Sequence, residues 1–98
     1  MSVEVHVEGQ ISYGGLPDFH QAVERYKKYA ESHGYAVPQV LLGLSGKMNT
    51  ARLVFRYENL SQYAEHETRT LEDREYGEIA GEMGYADGTI TYAIYQQI

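Results

Sequence analysis

The side chains in this 98-residue chain that could do chemistry are its imidazoles, its carboxylates and an unusual stock of phenols. Glu4-Val5-His6-Val7-Glu8 sets two carboxylates and an imidazole at every second position, which in a strand is one face. Such a trio could coordinate a metal ion. Arg52 and Arg56 are expected opposite and disfavour a bound cation, so the face reads as a subunit contact, with no metal and no cofactor expected. His66 lies on a polar helical segment with Tyr63 and Arg69 three residues to either side, and an imidazole is the side chain suited to moving a proton near neutral pH. The alternative is a solvated helix flank. His20 adjoins Gly14-Gly15 and could close a pocket mouth, with surface exposure as its alternative. Ten tyrosines stand against two phenylalanines and no tryptophan. Tyr13, Tyr26, Tyr57 and Tyr92 fall on stripes expected to face inward, where four hydroxyls could orient an aromatic or carbonyl compound. They could equally fill core volume with each hydroxyl reaching an edge. No Ser/His/Asp or Cys/His constellation and no phosphate-cradling glycine loop is readable.

Bulk properties narrow the classes. One domain, 1–98, is expected from length. A net charge of −6 and scattered basic residues argue against nucleic acid. No apolar run is long enough to span a bilayer, no signal-peptide pattern opens the chain, and cysteine is absent, so a cytoplasmic protein is expected.

The elements that must position these residues follow from periodicity. Val3, Val5, Val7, Ile11 and Tyr13 alternate with polar residues as a strand, interrupted at Gly9 by a bulge or a close approach. Leu16-Pro17-Asp18 opens a helix with Phe19, Ala22, Val23, Tyr26 and Ala30 inward, ending at Gly34. Val37 to Leu44 and Thr50 to Tyr57 read as strands joined by a hairpin-length loop, Ser45 to Asn49. Asn59 and Gln62 make a capping box for a helix whose inward stripe is Leu60, Tyr63, Ala64 and Leu71, which leaves His66 off it. Asp73 caps a second run carrying Tyr76, Ile79, Ala80 and Met83; Gly84 to Gly88 turns, and Thr89 to Ile98 is the last strand.

The order β-α-β-β-α-β is the α+β, ferredoxin-like plan: a four-stranded antiparallel sheet, order 4-1-3-2, with helices on one face. The other face would carry Glu4, His6, Glu8, Arg52, Val54, Arg56 and Tyr95, acids opposite arginines, and meet a second subunit.

Met48-Asn49, followed by six residues to Phe55-Arg56-Tyr57, resembles the Leu-Asn, strand, Trp-Arg-Tyr pattern of NIPSNAP-like proteins in the dimeric α/β-barrel superfamily. The next segment, with Glu65, His66, Glu67 and Arg69, then Asp73 and Tyr76, is also similar to it, over about residues 46 to 77. Phe55 stands where that family usually has Trp, and His66 where Arg is more typical. The resemblance implies a homodimer in which two sheets pair across a two-fold axis, helices outside. It implies a pocket between helices and sheet to which the segment of His66 and Arg69 contributes, where Arg69 and the inward-stripe residues Tyr13, Tyr26, Tyr57 and Tyr92 would hold a small aromatic or polyketide-like ligand. The alternative it carries is a cofactor-independent monooxygenase, cyclase or isomerase with His66 or His20 moving the proton. A purely structural assembly module is the third class, since one fold hosts many functions.

Overall fold

A computed structural model of the chain describes residues 2–43 and 49–98. The elements are β1 (Val3–Gln10), α1 (Leu16–His33), β2 (Gln39–Leu42), β3 (Thr50–Tyr57), α2 (Leu60–Leu71), α3 (Arg74–Glu82) and β4 (Thr91–Gln96). The strands form one antiparallel sheet in the order β2-β3-β1-β4, the ferredoxin-like 4-1-3-2 arrangement, and the sheet is not closed. Period-two patterning sends Val3, Val5, Val7, Ala51 and Leu53 to the face under the helices, where Phe19, Ala22, Val23, Tyr26, Tyr29, Ala30 and Ile79 complete the core.

The opposite face carries the expected ladder. Glu4 lies opposite Arg56, His6 opposite Val54 and Glu8 opposite Arg52. Arg56 Nε donates to Glu4 Oε2 at 2.9 Å, and Arg52 binds Glu8 in a short charge-assisted contact. Arg52 also lies 3.1 Å from His6 Nδ1. A guanidinium only donates, so Nδ1 accepts and Nε2 carries the proton given to Glu4 Oε1 at 3.0 Å.

Several expectations shift. β1 stops at Gln10, and Ile11 only bridges Tyr85, because residues 12–15 form a tight turn: the Gly15 N–H donates to the Ser12 carbonyl at 2.8 Å. Gly14 supplies the turn's φ of 80°, and this throws Tyr13 fully into solvent. β2 begins after Pro38 and is short; most of the expected hairpin loop, Ser45 to Met48, lies outside the described residues. β4 is an edge strand trimmed to six residues, which leaves Ile90 and Ile98 beyond it.

The helix signals hold at their starts. Asn59 Oδ1 accepts from the Gln62 N–H at 2.8 Å, while the Gln62 side chain reaches back to the Glu58 N–H rather than that of Asn59. Asp73 does two jobs. Its Oδ1 accepts from the Glu75 N–H at 2.9 Å to cap α3, and its Oδ2 accepts from the Tyr29 hydroxyl at 2.6 Å, tying α3 to α1. The Tyr29 hydroxyl first, then the Glu75 N–H, hold this carboxyl below its ordinary 3.8. A value depressed by folding means stability that is present above 3.8 and lost as pH falls through the folded value. Asp73→Asn should therefore unfold at lower urea than the parent at pH 7, with the difference between the two closing on acidification; equal midpoints at pH 7 would contradict this.

Candidate functional site

Between the sheet and the three helices lies a cavity of about 130 Å³. Its floor is Val5, Val7, Leu53, Phe55 and Tyr57 of the sheet. Tyr26 of α1 and Tyr35 beyond it form one wall; Tyr63, His66, Glu67 and Thr70 of α2 form another. Tyr76, Ala80 and Met83 approach from the α3 side, followed by Tyr85. Ile90 and Tyr92 complete it at the β4 edge, where exposed Tyr92 and Glu67 put the opening toward solvent. Seven of the ten tyrosines line this space.

The α2 wall overturns the stripe read from sequence. Tyr63 faces inward as expected, but Leu60, Ala64 and Leu71 face solvent; the cavity side is Tyr63, His66, Glu67 and Thr70, spaced i, i+3, i+4, i+7, with Glu67 exposed at the opening. Ring contacts with β3 fix that rotation. Tyr63 stands edge to face on Tyr57 with centroids 5.3 Å apart. Thr70 is buried at no polar cost, because its hydroxyl donates to the Glu67 carbonyl at 3.1 Å. His66, lying between them on the same face, is carried into the wall against Tyr35 (5.0 Å) and Tyr57 (5.5 Å).

The rings brace one another at steep angles. Tyr26 meets Phe55 at 89° and Tyr76 at 68°, so the apolar walls are held in edge-to-face contacts. Burial raises the Tyr26, Tyr57, Tyr63 and Tyr76 hydroxyls above the ordinary 10, and the charge of Glu67 adds to each. Burial pushes Tyr85 up to about 12. These phenols keep their protons at neutral pH and act as hydrogen-bond groups, not as bases. Tyr85 donates to the Ala51 carbonyl at 3.2 Å. Among the described residues, the hydroxyls of Tyr26, Tyr57 and Tyr76 have no protein partner. His66 Nδ1 is buried and also lacks one. A buried polar atom in that condition costs about 1–3 kcal/mol.

Of the residues expected at a site, Tyr26, Tyr57, Tyr92 and His66 therefore come together at this cavity. Tyr13, His20 and Arg69 do not. Tyr13 is on the exposed turn, His20 is on the solvent side of α1, and Arg69 pairs outward with Glu65 at 2.5 Å, an i,i+4 contact on α2. Tyr35, Tyr63, Tyr76, Tyr85, Glu67 and Thr70 join the site without having been singled out for it. Helical spacing from Tyr63 would have found Glu67 and Thr70; Tyr35 and Tyr85 sit in loops that carry no such signal. Among the described residues no group of three or more His, Asp or Glu is arranged to hold a metal, and no helix is long and apolar enough to cross a membrane.

The class defined by fold and site is an α+β ferredoxin-like domain with a phenol-walled cavity beneath its helices. Compared by sequence, the chain matches no protein-family model and no curated protein. Its fold is that of solved NIPSNAP-like structures. A NIPSNAP-like domain protein from Burkholderia xenovorans superposes with a TM-score of 0.80 at 15% identity, covering 99% of this chain and 85% of that one. A NIPSNAP family protein from Agrobacterium tumefaciens gives 0.78 at 14%, covering 100% and 94%. A conserved protein from Methanosarcina mazei gives 0.78 at 11%, with the same coverage.

Proposed function

We propose that this is a NIPSNAP-like protein that binds a small, single-ring molecule in the cavity between helices and sheet. The observation that carries the reading is a ring-walled space lined by tyrosines whose hydroxyls, at Tyr26, Tyr57 and Tyr76, have no protein partner among the described residues. Its size selects the ligand. An apolar cavity of about 150 Å³ accommodates benzene, and about 130 Å³ suits one ring with a short substituent. A multi-ring polyketide-like body would have to project through the opening at Tyr92. The test is a thermal-shift series of phenol against a three-ring anthrone, on the parent and on Val7→Phe, which fills the floor. Phenol at about 100-fold its Kd would add about 2.7 kcal/mol. That gain should vanish in the variant, and the anthrone should do less. Equal shifts in parent and variant would overturn the assignment.

The place of His66 in the cavity wall favours a second reading, a cofactor-independent isomerase, cyclase or monooxygenase in which His66 takes a proton from a ligand held by tyrosine hydroxyls. His66→Ala abolishing turnover while leaving ligand affinity in place would separate it from binding alone.

The homodimer belongs to the same proposal. The helices cover one sheet face; the other exposes Leu41 and Tyr95 around the Glu4–Arg56 and Glu8–Arg52 pairs. Packed on its two-fold mate, Arg56→Ala would leave Glu4 without its guanidinium partner in a buried contact. Sedimentation should then register a weaker dimer, and an unchanged one would contradict the assignment. The cytoplasmic setting expected of a cysteine-free chain is likewise part of the proposal.

A further inference from the structure

Charge at the cavity is one-sided. Among the described lining residues Glu67 is the one acid, and there is no lysine or arginine. The Glu67 carboxylate makes no ion pair with any described residue. The nearby cation on the same helix, Arg69, is committed to Glu65 on the outer face. Around this carboxylate stand aromatic rings held edge to face, whose faces carry the negative end of the ring quadrupole. The hydroxyls of Tyr26, Tyr57 and Tyr76, without a protein partner among the described residues, can accept a hydrogen bond from an N–H.

Three ligand classes can be weighed against that arrangement. A carboxylate or phenolate would meet Glu67 with no lining cation to offset it. A neutral alcohol could engage the tyrosine hydroxyls but brings no charge to Glu67. An ammonium group on a single ring or short alkyl body uses the carboxylate, the aromatic rings and the hydroxyls together. We propose that the cavity is a site for a small cationic amine, its nitrogen directed to Glu67 at the opening and its apolar body among Tyr26, Tyr57 and Tyr76. This rests on the single-ring reading above and names the charge of the ligand.

Calorimetric titration with benzylamine, benzyl alcohol and benzoate tests it, since the three share a ring and differ in charge. Benzylamine is expected to bind about tenfold tighter than benzyl alcohol, and benzoate not at all, in keeping with a cation–π contact and a charge contact at the cavity opening. Glu67 is exposed, so Glu67→Gln leaves the fold in place. It should weaken benzylamine about tenfold and leave benzyl alcohol unchanged. Benzyl alcohol binding as tightly as benzylamine, or a preference that survives Glu67→Gln, would overturn the amine assignment while the cavity remained a ring site. Binding by none of the three would overturn both.

Discussion

Phe19→Ala is expected to lose about 3–5 kcal/mol of unfolding free energy, a large share of the roughly 5–15 kcal/mol that holds a domain together. Phe19 is 2% exposed and is among the largest fully buried side chains. It sits in the first turns of α1, where the ring reaches Tyr85 at 5.6 Å. Truncation removes apolar area and leaves a hole that close-packed neighbours fill only in part. It also strips the support behind one wall of the cavity. Urea unfolding with an unchanged slope would read the loss as stability alone; a loss below about 1 kcal/mol would mean that the site collapses freely and that Phe19 is not a structural anchor.

Gly9→Ala should cost about 1–3 kcal/mol through overpacking and should alter the cavity at the same time. A Cβ built at Gly9 would stand 2.5 Å from Tyr85 Cδ1, closer than real carbon contacts come. The Tyr85 ring lies flush on the strand, with its hydroxyl on the Ala51 carbonyl across the sheet. An added methyl forces the ring outward, weakens that bond and displaces a cavity-lining residue. Phenol affinity should fall even where the protein folds. Combining Gly9→Ala with Tyr85→Leu isolates the cause: the pair should cost less than the sum of the singles, because the clash is shared. Additive costs would mean that the strand, and not the ring, resents the methyl.

The close approach at Gly9 was one of two readings open in the sequence, since a glycine inside an alternating strand marks either a bulge or a neighbour that leaves no room. Strand order, the acid–arginine register and the caps at Asn59 and Asp73 were legible for a similar reason: each follows from local spacing. The cavity wall on α2 was not. Leu60 and Leu71 are its most apolar residues and point outward, while His66 and Glu67 point in. Hydrophobicity ranks candidates for burial, but the rotation of a short helix is decided by which of its side chains find partners on the neighbouring elements, here Tyr63 and His66 on Tyr57. Tyr13 failed the other way. Its phase along the strand was right for the core, and a four-residue turn took it out of the strand. Tyr35, Tyr76 and Tyr85 converge from a loop, a short helix and a turn that are distant in sequence. Only tertiary packing brings them together.

The most direct test of the central claim is a crystal structure of the protein grown with phenol. Density is expected for one ring beneath the helices, among Tyr26, Tyr57 and Tyr76, with its hydroxyl bonded to one of theirs. A solid interior, with the tyrosine rings closed over the sheet and phenol absent or bound elsewhere, would contradict it.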